Sequence, residues 1–280
     1  MDSTNALGEY LRARRHALAP HRVGFPDAGR RRTPGLRREE LAVLAGISTD
    51  YYIRLEQGRE RSPSAQVLDA LARALLLEPD ATAYLHALTH ASHARRRTRP
   101  TEHASAALQQ LLDAWPNNPA FVLGRFNDVL ARNRMAAALY GGLSITDNLT
   151  RAVFLDPAAC DFFPEWDRVA WSSAAALRAA AGPDLDDPRL LDLVDELSAG
   201  SAQFRALWAR HDVREKTSTP KAFRHADVGP LTLTHQSFAV NGAPGQELVV
   251  YNAEPGSASA QALALLGSLA ADVTIGTAGS

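Results

Sequence analysis

The sequence predicts two domains of different class: an all-α domain, then an α+β domain with a small antiparallel sheet. Three observations carry this. Apolar residues recur at helical spacing between short loops up to about residue 94. The last third alternates apolar segments with Gly/Pro turns such as Asn241-Gly242-Ala243-Pro244-Gly245. Charge is divided as well: residues 1–99 hold 17 Arg against 11 acidic residues, a net of +6, while residues 100–280 hold 13 basic against 20 acidic, a net of −7. The whole-chain net of −1 conceals that asymmetry, which suggests a nucleic-acid-facing module joined to a module of another kind.

The 280 residues suffice for two cores, and the boundaries expected are 1–94, a basic linker at 95–104, and 105–280. Arg95-Arg96-Arg97-Thr98-Arg99-Pro100 lacks apolar periodicity and ends in a residue that disfavours helix before it. It reads either as a solvated linker or as an arm that touches phosphate. A single cysteine, Cys160, excludes an internal disulfide and a cysteine zinc cluster, which points to a reducing, cytoplasmic setting. It reads as a small buried residue rather than a nucleophile. No apolar run approaches the ~20 residues of a membrane span, and the polar, acidic start does not resemble a signal peptide.

In the first domain, Leu7, Tyr10, Leu11 and Leu18 make one helical stripe from Asn5 to Ala19. After a Pro/Gly-containing segment, Leu36–Ala45 forms a helix ended by Gly46, and Ser48 opens another that Gly58 closes. Ser64 caps a helix through Leu68, Leu71 and Leu75, and Pro79-Asp80 starts a fifth. In the second domain the expected helices are Leu108–Trp115, Arg132–Tyr140, Trp166–Ala181, Pro188–His211 and Gln261–Leu269. The expected strands are Ala120–Arg125, Asp128–Ala131, Lys221–His225, Leu231–Phe238 and Glu247–Asn252.

Residues 36–58 carry the strongest chemical signal. Two helices crossing at about 90–120° need small residues at the contact, which Ala42 and Ala45 supply. Gly46 permits a positive φ, Ile47 fills the corner and Ser48 caps the second helix. Leu41 and Leu44 are expected to meet Tyr52 and Leu55. A helix-turn-helix places the N-terminus of its second helix at base edges in the major groove. There, Arg54 suits guanine, Thr49 a thymine methyl and Asp50 cytosine N4, although Asp50 equally suits the first turn of a helix. Arg30, Arg31, Arg32, Arg37, Arg38 and Tyr51 are phosphate candidates, the arginine pair standing at a helix N-terminus.

Glu40-Leu41-Ala42, Gly46, Ser48 and Leu55-Glu56-Gln57-Gly58 resemble the Xre/Cro, lambda-repressor-like helix-turn-helix family, with Arg37-Arg38 where that family often has Thr-Gln. Over a longer stretch the chain resembles the MmyB-like regulators common in actinobacteria. The matching segments include Arg30–Ala42, Asp50-Tyr51-Tyr52, Phe121–Arg125, Asp128–Asn133, Phe154-Leu155-Asp156-Pro157, Phe204–Val213 and Val250–Ser257. That resemblance implies a transcription regulator whose second domain is PAS-like and binds a small apolar, fatty-acid-like ligand non-covalently, with no other cofactor. Double-stranded DNA is then the main partner, and because one module's contacts rarely give nanomolar affinity at physiological salt, a homodimer on a pseudo-palindrome is expected. Phe121, Leu123, Val129, Trp166, Phe204, Leu207 and Trp208 could line such a pocket or simply form the core. Arg210 and His211 could meet a carboxylate head or make an ion pair with Asp212 or Glu215. The alternative is a second domain that only dimerises or binds protein. No nucleophile elbow, glycine-rich phosphate loop or paired metal-binding histidines argue for an enzyme or a metal site.

Overall fold

The computed structural model describes residues 5–26, 35–90, 102–182, 184–214 and 219–277. Its contacts divide the chain into two compact units. One holds the N-terminal helices together with Ala174–Ser198 and Ala202–Glu215; the other holds Thr98–Ser173, Ala199–Ser201 and Lys216–Ser280.

The first unit begins with α1 (Ala6–Ala17), a 3-10 turn at Pro20–Val23, α2 (Arg38–Ala45), α3 (Thr49–Glu56), α4 (Ala65–Ala74) and α5 (Pro79–His90). Its core is the predicted stripe of α1 with Leu41, Ala42, Tyr52, Leu55, Leu68, Leu71 and Leu85. Caps set the helix starts, since Ser48 Oγ accepts from the Tyr51 amide at 3.1 Å and Ser64 Oγ from Val67 at 3.4 Å. Gly46 takes φ 66°, and the following Ile47 amide donates to the Ala42 carbonyl at 3.0 Å, turning the chain from α2 into α3. One expectation fails at this corner. Leu44 is 37% exposed and Val43 73% exposed, so the small residues Ala42 and Ala45, together with Leu41, make the contact instead. Eight residues of helix offer only a narrow buried stripe, and Leu44 falls beside it.

The same unit includes α11 (Pro188–Gly200) up to Ser198, α12 (Ala202–Trp208) and the second half of α10 (Trp166–Ala181). The single helix expected over Pro188–His211 is two: it breaks at Gly200-Ser201 and ends at Trp208. Gly200 lies so close to the Leu155 side chain that a Cβ would sit 2.4 Å from it. His211 takes φ 53°, which no helix interior accommodates.

In the second unit, α6 (Ala106–Asp113) precedes β1 (Ala120–Leu123) and β2 (Val129–Arg132). There follow α7 (Arg134–Leu139), α8 (Leu149–Leu155) and α9 (Ala159–Phe162), then β3 (Lys221–His225), β4 (Gly229–Ala239), β5 (Glu247–Asn252) and α13 (Ala258–Thr277). The sheet is antiparallel in the order β2-β1-β5-β4-β3. Helices α8 and α9 were not expected. Each is too short to show a period, and α8 starts because Asn148 Oδ1 accepts from the Thr150 and Arg151 amides. Asn133 ties the unit's first elements together: its Oδ1 accepts from the Ala120 and Ala136 amides, and its Nδ2 donates to the Trp115 and Asn118 carbonyls at 2.8 and 2.7 Å. Cys160, expected to be buried, is exposed on the single turn of α9, whose inward positions are Ala159 and Phe162.

The two sheet faces differ. Ala120, Val122, Leu248 and Val250 face Leu112 and Trp115 across one side. Alternation along the strands puts Phe121, Leu123, Val249 and Tyr251 on the other.

Gly8 marks a close crossing of α1 and α3, because a Cβ there would come 2.4 Å from the Glu56 carbonyl oxygen. Gly8→Ala is therefore expected to push α1 from α3 and destabilise the first unit by about 1–3 kcal/mol despite alanine's better helix propensity, read as an earlier thermal transition.

Candidate nucleic-acid interface

Most predicted contact residues lie at the N-termini of α2 and α3, but Arg54, expected there too, stands in the last turn of the eight-residue α3. Arg37, at the N-cap of α2, is exposed, and its backbone amide donates to Glu40 at 2.7 Å. On α3, Asp50 and Arg54 are exposed while Thr49 and Tyr51 are half-buried. The Arg54 guanidinium lies 5.6 Å above the Tyr51 ring, so Tyr51 backs Arg54 and restricts where it points. Arg30, Arg31 and Arg32 lie outside the described residues.

Beneath this surface is an ionic cluster that sequence reasoning did not assign. The Glu56 carboxylate, with no solvent exposure, accepts from Arg15 Nε at 2.7 Å and Tyr52 Oη at 2.8 Å on one oxygen, and from Arg38 Nε at 2.7 Å on the other. Arg15 also donates to the Leu36 carbonyl at 2.7 Å, which fixes the residue just before the α2 cap. Burial pushes the Glu56 carboxyl up, but hydrogen bonds from Arg15, Arg38 and Tyr52 outweigh it and hold the pKa below the usual range. Burial, and then the Glu56 charge, raise the Tyr52 hydroxyl, which remains a donor. The sequence did carry a signal, a glutamate one residue after the core-facing Leu55 and an arginine near an apolar stripe, but not their pairing.

Two positive charges on one carboxylate leave the cluster with a net +1, and Arg38 is its half-exposed member. Glu56 thus anchors Arg38 through Nε and leaves the side chain half-exposed in the first turn of α2, a terminus that itself favours anions.

Of the residues considered for a ligand pocket, the sheet brings three together. Phe121 and Leu123 are alternate residues of β1, and Val129 stands opposite Leu123 in the register. Trp166 donates its indole N–H to the Val153 carbonyl at 2.9 Å and meets the Phe154 ring edge-on. Phe204, Leu207, Trp208, Arg210 and His211 belong to the other unit, where Phe204 stacks on Trp208 and Arg210 pairs with Asp212 at 2.9 Å. On the Phe121 face, sequence reasoning missed an aromatic cluster of Tyr140, Phe162, Phe163, Phe223 and Tyr251. It contains a buried hydroxyl pair, Tyr140 and Tyr251, at 3.3 Å.

Comparison with known families agrees with this division of chemistry. Residues 6–85 match a helix-turn-helix domain. Residues 104–266, more than half of the chain, match the MmyB-like transcription regulator ligand binding domain. The chain belongs to the MmyB-like transcription regulators. It is a DNA-binding regulator with a ligand-binding domain, not an enzyme. No curated protein matches the chain. Among the described residues, no helix is long and apolar enough to cross a membrane.

The lowered Glu56 pKa sets a pH dependence. A carboxyl depressed on folding stabilises the protein above its unfolded pKa, and that contribution is lost as pH falls through the folded value. Stability of the helix-turn-helix unit is therefore expected to be level near neutrality and to fall steeply below the ordinary carboxylate range. Glu56→Gln should lower it at neutral pH and flatten the acid limb, as followed by thermal unfolding across pH.

Proposed function

We propose that this MmyB-like regulator reads its operator with the exposed side of α3, and that Thr49 and Asp50 in its first turn and Arg54 in its last are the base contacts. The arrangement that carries the proposal is Arg54 stacked over Tyr51 on the exposed side of a capped α3. Arginine held in this way presents its two-pronged guanidinium to guanine O6 and N7. Arg37, Arg38 and Tyr51 grip phosphate around it, and Arg30, Arg31 and Arg32 add charge from the preceding segment. Asp50 also lies in the first turn of α3, where a carboxylate is favourable with or without cytosine. A single module's contacts rarely give nanomolar affinity at physiological salt, so two copies act on a pseudo-palindrome.

Selection of bound duplexes from a random pool supplies the operator. Arg54→Ala should then weaken binding by about 1–3 kcal/mol and relax preference at one base pair. Arg38→Ala should weaken all sequences about equally and reduce the salt slope by about one. An unchanged slope would remove Arg38 from the phosphate contacts.

The second domain binds a small, largely apolar molecule with one polar end, of which a fatty acid is one example. Supporting this are the family match and the aromatic cluster around the Tyr140–Tyr251 hydroxyl pair. Two facing hydroxyls use one of their protons between themselves, and the other suits an acceptor such as a carboxylate oxygen. Burial, together with Tyr251, keeps Tyr140 protonated and so a donor. Phe121, Leu123 and Val129 offer the apolar surface alongside. A ligand that prefers one arrangement of this domain would shift DNA affinity by linkage. Thermal shift with a series of fatty acids tests this reading: Tyr251→Phe should fold yet lose most of the ligand-induced shift. Consistent absence of any shift, and of co-purifying lipid by native mass spectrometry, would favour a module that only dimerises.

A further inference from the structure

The first unit contains residues that the helix-turn-helix match does not cover, and they make specific contacts with α1 and α5. Arg178, on the second half of α10, is among the largest fully buried side chains. Its guanidinium lies 3.8 Å from the centre of the Trp208 ring, donates to the Trp208 carbonyl at 2.8 Å and hydrogen-bonds the Tyr84 hydroxyl of α5. Tyr84 packs on Tyr10 of α1 at 5.2 Å, and the Tyr10 hydroxyl donates to the Ala81 carbonyl at the start of α5. Beyond Trp208 the chain turns at His211, whose φ of 53° is uncommon for a residue with a side chain, and Val213 packs on the core of the unit. Burial, then the charges of Arg178 and Arg14, pushes the His211 pKa down to about 3, so the ring adds no further cation here near neutrality. Asp212 takes Arg14 of α1 at 2.5 Å and Arg210 at 2.9 Å.

The two contacts on α1 are adjacent in sequence. Arg14 is held by Asp212, and Arg15 holds Glu56, the last residue of α3 and the anchor of Arg38. We infer that Asp212 and Arg178 are positioning residues for DNA binding, which fix α1 and α5 and, through Arg15, the carboxylate that sets α3 and Arg38. An ionic and hydrogen-bonded latch of this kind suits the task. It is specific in geometry, and a buried guanidinium that loses its partners is left strongly destabilised.

The full chain and a duplex recovered by selection test this. Asp212→Asn is expected to weaken binding roughly fivefold to tenfold without changing the salt slope, because Asp212 touches no phosphate. Hydrogen exchange of the α1 and α5 amides should quicken while that of the β-sheet stays the same. Arg178→Lys, which keeps the charge but loses the planar donors, should act in the same direction. Arg14→Asp and Asp212→Arg should each weaken binding, and the double variant should recover most of the loss. Unchanged affinity in Asp212→Asn overturns the inference, even if exchange quickens. A charge-swapped double variant no better than its weaker parent overturns it too.

Discussion

The carboxylate of Glu56 has no contact with water, and the geometry of the helix-turn-helix depends on how that charge is neutralised. A buried ion is tolerated only when opposite charge and hydrogen bonds replace its hydration. Arg15 from α1, Arg38 from the start of α2 and Tyr52 from α3 itself provide that replacement. One group therefore fixes three helices, and it does so from below the surface that carries the exposed arginines. Apolar packing alone would allow these short helices to slide, because eight-residue α2 and α3 each bury only a few side chains. The ionic cluster removes that freedom and at the same time leaves one arginine side chain half-exposed.

The second domain uses polar groups differently. Asn133 and Asn148 satisfy buried backbone amides and carbonyls where chain segments meet, so they set positions without carrying charge. His225 plays a comparable part: its Nε2 meets the Ala138 carbonyl at 3.0 Å, and its Nδ1 accepts from the Asp227 amide. Both ring nitrogens are thus engaged within the fold. The Tyr140–Tyr251 pair is of another kind, because its two hydroxyls turn to each other within an aromatic surrounding.

Much of the first domain was legible because its signals are local. Gly46 and Ser48 act within a few residues of where they stand, and the stripe of Leu7, Tyr10 and Leu11 needs only one helix to be visible. The strands were legible for the same reason, as alternation and turn residues are short-range properties. Misjudged positions involve competition between neighbours. Leu44 looked like a core residue by type, yet alanines took its place at the crossing. Cys160 looked buried by type, yet a one-turn helix has few inward positions. The Pro188–His211 periodicity concealed a break where Gly200 lets Leu155 approach.

By itself, then, the sequence determined the fold class of each domain, the helix-turn-helix, its exposed arginines and the family. The fold classes, the helix-turn-helix and its arginines rest on composition, spacing and local capping, and the family on the resemblance of its motifs. Only the tertiary structure decided that β1 lies between β2 and β5, that Glu56 collects Arg15 and Arg38, and that Arg178 and Asp212 belong with α1 and α5. Residues 41 and 198 positions apart meet there to bury and neutralise charge. Sequence spacing carries no information about such pairings, because they are selected by the cost of leaving a charge unpaired in the folded chain.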